Sequence, residues 1–442
     1  MQKPVTHRQV LTIAGPIVLS NATVPLLGII DTGVIGQMGL AAPVGAVGIG
    51  AVILTAIYWL FGFLRMGTTG LVAQAHGAGD TAESSAIFSR AMMIGLAAGL
   101  GIMLLQIMLF RAAFALSPAS AEVETLTRQY LEVRIWGAPA TIMLYAITGW
   151  LVAVGRTGRV FVLQLWMNGL NIGLDLWFVL HLGWGVEGVA LATLIAEWSG
   201  LALGLLLCRP VFAGPGWRDW ARVFDRRKLK RMLLVNADIM IRSVALQGAF
   251  MSFMFFGAAL GDVRLAANQV LLQFLELTAF ALDGFAFAAE ALVGATIGAV
   301  QGTLSREEKR NRVSQAARIC SQWGVGGALL LGAFFWLAGG LLIDLMVTSP
   351  DVREAARNYL FWAALSPVFG IAAWMFDGIF IGATWTGSMR NAMLLSVLIY
   401  CAALAVLLPL FGNHGLWAAL MVLNIARGLT MWRSYNKEMR RI

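Results

Sequence analysis

Charge is scarce in this chain. Of 442 residues only 12% are charged and 59% are hydrophobic, whereas about a quarter of the residues in soluble proteins are charged. That excludes an ordinary soluble domain and a disordered solvating chain. Cysteine is scarce as well. Cys208, Cys320 and Cys401 are scattered through apolar stretches; they form no metal-ligand spacing and suggest no disulfide framework. The four histidines, His7, His76, His181 and His414, make no ligand cluster, so no metal is expected. GxSxG, HExxH, a Walker loop and a recognisable Cys–His spacing are all missing, which leaves no catalytic residue to assign. Without a nucleotide-binding segment, ATP cannot drive the protein directly, and no cofactor is expected beyond a coupling ion. No signal peptide is expected either: MQKPVTHRQV is polar, and the run after it is too long for a short h-region.

What the chain has is apolar runs of roughly 20 residues, each able to cross about 30 Å of hydrocarbon. Twelve spans are read, near 10–36, 45–74, 86–112, 125–153, 159–181, 187–208, 230–259, 265–296, 313–341, 353–382, 388–410 and 415–433. The expected class is an all-α integral membrane protein. A net charge of +9 could point to nucleic acid, but the basic residues gather in alternate connections. With the N-terminus inside, only Arg111, Arg128, Arg264, Arg353 and Arg357 fall outside, while Arg65, Arg134 and Arg242 lie within or near spans and count for neither side. Both termini are therefore expected in the cytoplasm, with the lipid bilayer as partner and no nucleic acid.

The chain repeats itself. TGWLVAVGRTG (148–158) aligns with DGIFIGATWTG (377–387), and Tyr130-Leu131 then meets Tyr359-Leu360 in the same register. VAQAHGAG (72–79) matches VGATIGAV (293–300). Two six-span lobes are expected, at 1–208 and 232–442, joined by the basic linker 209–231. Six is even, so the repeat is parallel, and transporters built this way bind substrate between halves and alternate access.

The most unusual stretch is GPIVLSNATVPLLGIIDTGVIGQMG (15–39). It is long enough to span, yet holds one carboxylate, Asp31, and two prolines, Pro16 and Pro25. An acid in hydrocarbon needs a partner, a water-filled cavity or a proton. Pro25 would leave the carbonyl of Asn21 without its helical donor, so a regular helix is not expected. The fifth span places Asn168, Asn171 and Asp175 at spacings of three and four, hence on one face. Asparagines alone can simply glue helices together; with an acid on the same face a cavity is the better reading. The register puts Ser252-Phe253 over Asp31 and Leu404 over Asp175, so these acids belong to one lobe only. Burial and a neighbouring acid both favour the protonated form of one carboxyl group, which suits exchange of a proton for a cationic substrate. In the second half, Glu276, Asp283 and Glu290 recur at sevens, and Asp377 opens the repeat motif. A second ion site and pairing with membrane arginines stay open for Asp283, Glu290 and Asp377; Asp238 is expected to pair with Arg242, four residues on.

The P-x14-D of helix 1 (Pro16 to Asp31), the N-x3-D of the fifth span (Asn171 to Asp175) and Q-A-x-G-A (Gln74 to Ala78) resemble the multidrug and toxic compound extrusion (MATE) family. NATVPLLGIIDTGVIG, FLRMGTTGLVAQ, NADIMIRS, LDGFAFAAEA, DGIFIGAT and SMRNAM resemble its DNA-damage-inducible protein F branch. The resemblance implies two parallel-repeat six-helix bundles in a V around a central cavity. It implies a monomeric secondary antiporter of the bacterial inner membrane that exports organic cations, drugs and other amphipathic toxins in exchange for H⁺ or Na⁺. It assigns Asp31, Asn171 and Asp175 to a first-lobe cation site, with Asn168 beside them, and a hinge to Pro16, with Pro25 as a second. Asp377 matches an acid of the sodium-coupled branch. The seventh-span glutamate of that branch has no counterpart, Gln247 and Ser252 standing in the span instead, which favours protons. A lipid-linked sugar flippase would favour a basic cavity, and an intramembrane enzyme would need paired catalytic groups near an interface.

Overall fold

The computed structural model describes residues 5–37, 41–116, 120–299 and 305–442, without the side chains of residues 25–27, 29, 31, 32, 41 and 116. Among these residues the regular structure is helical. The first half holds α1 (His7–Gly36), α2 (Ala41–Trp59), α3 (Phe63–Gly77), α4 (Thr81–Leu116), α5 (Ala121–Arg134), α6 (Ala138–Ala153), α7 (Thr157–Asp175) and α8 (Gly185–Leu207). A short α9 (Trp220–Val223) lies in the linker. Then follow α10 (Arg226–Ala258), α11 (Asp262–Ala299), α12 (Arg306–Met346), α13 (Pro350–Ala383), α14 (Thr386–Phe411) and α15 (Asn413–Met439).

Ten helical runs among the described residues are long and apolar enough to cross a membrane. In that count α2 and α3 form one run, as do α5 and α6. The other two of the twelve expected spans are α1 and α7, the latter extended by a π-helical segment, Leu176–His181. Two first-half spans are broken where continuous helix was expected. Leu60–Gly62 is a 3-10 turn between α2 and α3, and Ile135–Gly137 one between α5 and α6. The second break precedes Pro139, which has no N–H to continue the ladder. The opposite holds for α1. It runs from His7 to Gly36 through Pro16 and Pro25, so the expectation of an irregular first span is corrected. Membrane helices tolerate proline where neighbouring groups satisfy the freed carbonyls.

The chain divides into two compact units. One contains Leu19–His76 and Asp80–Lys230; the other contains Met1–Val18, Gly77–Gly79 and Arg231–Ile442. Within the first, α4 packs on α6, α7 on α8, and α2 on α5. Within the second, α13 packs on α11, α12 and α15, and α14 lies along α15. The start of α1 belongs to this second unit, where Gly284 of α11 lets the backbone at Ala14 and the side chain of Val18 approach.

The repeat recurs in the packing. A Cβ on Gly149 of α6 would lie 2.6 Å from the carbonyl oxygen of Arg65 and 3.1 Å from Thr68, both of α3. One on Gly378 of α13 would strike the Ala286 carbonyl of α11. Both are close crossings of the kind small residues allow in membranes. Each motif then ends in a left-handed residue, Gly155 (φ +71°) in one half and Thr384 (φ +54°) in the other. The next helix starts two residues later, at Thr157 and at Thr386. Gly155→Ala should therefore cost about 1–2 kcal/mol, read as a lower melting temperature in detergent. Gly158→Ala, three residues on and open around its Cβ, should be neutral or stabilising. Equal destabilisation by both changes would refute a special role for the left-handed position.

Candidate functional site

The first unit contains a partly open cavity of about 280 Å³. Gly28 of α1, Tyr58 of α2, Arg134 of α5, Asn168 and Asn171 of α7 and Glu197 of α8 contribute to its wall, with Thr193 and Tyr130 beside them. The stripe foreseen on the fifth span is buried. Asn168, Asn171 and Asp175 are 7%, 1% and 0% exposed. Asn168 donates to the Thr23 hydroxyl of α1 (2.9 Å) and accepts from Gln164 (2.9 Å). Asn171 donates to the Thr193 hydroxyl of α8 (3.1 Å), and its own amide oxygen has no hydrogen-bond partner among the described residues. Asp175 is the last residue of α7, where the backbone passes into the π-helical segment. Such segments accompany functional sites more often than plain helix does. The stripe thus ties α7 to α1 on one side and to α8 on the other. The side chains of Asp31 and Pro25 lie outside the described residues.

The cavity also holds an ion pair the sequence reading did not assign. Arg134 donates to both carboxylate oxygens of Glu197, at 2.7 and 2.9 Å, and each residue is 7% exposed. The 3-10 break makes room for it. A Cβ on Gly137 would collide with a Glu197 carboxylate oxygen, so glycine at the break lets the acid reach Arg134 one helical turn before. Glu197 was findable: it is the one acid between Gly188 and Cys208, and a lone acid in such a run carries the same warrant as Asp31.

The second unit is built differently where the repeat would place a cavity. Tyr400 and Leu404 stand over Asn171 and Asp175. They pack with Phe253 and Trp417 in a buried cluster, with Val397, which stands over Asn168, against it. Ser252 and Tyr400 share a hydrogen bond (2.9 Å) inside that cluster. Of the second-half acids, Asp377 is held by two guanidinium groups, Arg242 of α10 and Arg427 of α15, the latter at 2.8 Å. Asp377 thus stands among arginines, the second of the two arrangements left open for it. The expected Asp238–Arg242 pair is corrected: Arg242 reaches across to α13, while Asp238 receives Arg390 (2.5 Å) and the Thr386 hydroxyl (3.1 Å) from α14. An i, i+4 spacing put the two on one face, but charges on neighbouring helices offered shorter geometry. Glu276 is exposed, Asp283 half-buried and Glu290 buried, so the stripe of sevens passes from surface to interior.

Removing one partner of a buried ion pair strands the other charge, at a cost of about 3–5 kcal/mol. Glu197→Gln should therefore lower the melting temperature in detergent sharply. Arg134→Met combined with Glu197→Leu should recover most of the loss. A double variant as unstable as the single one would mean that the pair does more than neutralise itself.

Residues 16–177 and 239–407 match the MatE family. DNA damage-inducible protein F of Escherichia coli (strain K12) is 38% identical over 427 residues, 96% of this chain and 91% of that protein. A probable multidrug resistance protein NorM of Pseudomonas syringae pv. tomato is 26% identical, covering 84% and 79%. Among solved structures, the Vibrio cholerae MATE transporter VcmN in its bent form superposes with a TM-score of 0.86 at 21% identity, covering 98% of this chain and 97% of that one. Two matched segments, one in each half of the repeat, and a relative aligned almost end to end establish that this chain is a membrane transporter of the multidrug and toxic compound extrusion (MATE) family.

Proposed function

We propose that this protein exports organic cations and other amphipathic toxins in exchange for H⁺ by alternating access, with the polar stripe of the first unit as its coupling site. The observation that carries this reading is the contrast between the halves. Asn168 and Asn171 line a cavity with Asp175 buried on their helix, while the repeat positions in the other half are filled with side chains.

Backbone geometry supports Asp31 as a member of the same site. Gly28 lines the cavity, and Asp31 follows it by three residues, which is one turn along a helix face. The Thr23–Asn168 link ties α1 to α7. As the first and fifth spans, these two helices run the same way across the membrane. Asp31 then lies ~12 Å beyond the link and Asp175 ~10 Å beyond it, at similar depth. A proton held between the two would be displaced by a cationic substrate and released to the opposite side. Contact grouping changes at Val18, two residues past Pro16, which supports Pro16 over Pro25 as the hinge of helix 1.

Sodium coupling through the second half is disfavoured by Asp377, since an ion there would have to displace two arginines. The concentration of basic residues in alternate connections supports a bacterial inner-membrane placement with both termini cytoplasmic. The acids Asp31 and Asp175 of the first lobe argue against a lipid-linked sugar, which is a large anion.

Proteoliposomes test the reading. A pH gradient alone should drive movement of a fluorescent organic cation. Asp175→Asn and Asp31→Asn should each slow it at least tenfold, with the melting temperature in detergent little changed. Activity that depends on sodium and ignores pH would overturn the proton assignment.

A further inference from the structure

The linker between the halves is bolted to α4. Ser85 and Ser89 of α4 donate to the carbonyls of Val211 (3.0 Å) and Trp217 (2.7 Å). The buried Arg90 donates to the carbonyls of Val223 (2.8 Å) and Arg222 (2.6 Å). Gly216 lies against the backbone of Ala82 so closely that a Cβ would stand 2.7 Å from it. Phe212 packs edge-on against Phe88 and against Trp217. A free tether has none of these ties.

The ties also fix the linker's depth. Between Arg90 and Arg111, α4 carries an uncharged run of about 20 residues, ~30 Å long, which matches the hydrocarbon thickness. Arg90 therefore marks one edge of the hydrocarbon, and α4 residues 82–90, with the linker fastened to them, stand at headgroup level.

At that level the linker presents aromatic rings and cations together. Trp220 is 57% and Phe224 51% exposed, stacked on each other with ring centres 5.9 Å apart. Phe212 is 39% exposed nearby in the chain. The local acids are already committed. Glu83 takes Arg90 and Lys228, Asp80 takes Arg222, and Asp219 caps α9. Asp225 accepts the backbone N–H groups of Lys228 and Arg227 at the start of α10, the former above all holding its carboxyl below the usual carboxylate range. Exposed Arg209, Arg218, Arg226, Arg227 and Lys230 form no salt bridge among the described residues.

We propose that this rigid plate is a binding site for the headgroups of anionic phospholipids. Phosphodiester charge complements the five exposed cations that form no salt bridge among the described residues, and such cations are attracted to an anionic surface. Exposed Trp and Phe at headgroup depth sit where amphipathic rings are favoured. The bilayer is the occupant that brings both an anion and an apolar edge to this depth; a soluble phosphate brings only the first.

Native mass spectrometry of the full chain in mild detergent tests the site. With equal amounts of phosphatidylglycerol and phosphatidylcholine, the wild type should retain phosphatidylglycerol at least threefold over phosphatidylcholine. The variant carrying Arg218→Ala, Arg226→Ala, Arg227→Ala and Lys230→Ala should lose that preference. Trp220→Ala with Phe224→Ala should reduce retention of both lipids. Should the quadruple variant fail to fold, judged by its melting temperature, Arg227→Glu alone should still lower the preference. Unchanged selectivity in the variants that fold overturns the proposal. So does displacement of phosphatidylglycerol by millimolar glycerol 3-phosphate, which would identify the occupant as a soluble phosphate.

Discussion

A carboxylate surrounded by hydrocarbon costs several kcal/mol unless something offsets its charge, and the interior of this transporter is arranged around that cost. Three solutions coexist. Glu197 is offset by one arginine in a two-point grip. Asp377 is offset by two arginines from different helices. Asp175 is fully buried on a helix whose other polar residues face a cavity. The first two are fixed-charge arrangements suited to holding helices in place. The third sets its acid at the end of α7, where the helix passes into the π-helical segment.

The repeat explains the frame, and the two halves part company in their side chains. Close crossings at Gly149 and Gly378 and left-handed corners at Gly155 and Thr384 keep the two halves alike in backbone. Side chains then separate them. Where one half has asparagines and a cavity, the other has Tyr400, Leu404, Phe253 and Trp417 packed together as a core. A duplicated scaffold can thus hold a cavity in one half and a filled core in the other, and core residues of that size leave little room for rearrangement.

The spans were legible in the sequence because hydropathy in a membrane is a strong signal. The stripe of Asn168, Asn171 and Asp175 was legible because three polar residues at helical spacing in an apolar run share one face, and that face needs polar surroundings. What the sequence hid was pairing across helices. Asp238 and Arg242 share a face, yet Asp377 and Arg390 on other helices took them. Spacing along one helix says which side a residue is on, and only the packing says what stands opposite. Arg134 was visible as a membrane arginine, but its partner is 63 residues away. The continuous α1 was missed for a related reason: proline removes a donor locally, while its neighbours decide whether the helix survives.

The division of α1 bears on the order in which the chain assembles. Its first residues are made before α11 and α12, yet they pack on Gly284 of α11, and His7 accepts a hydrogen bond from Trp323 of α12 at 3.1 Å. Those partners emerge only after the whole first unit has been made. The beginning of helix 1 must therefore wait through most of translation, and its docking closes a loop of some three hundred residues, 316 between His7 and Trp323. Non-local contacts of this kind form late and slowly. The start of helix 1 can therefore be seated only once α11 and α12 are in place to receive it.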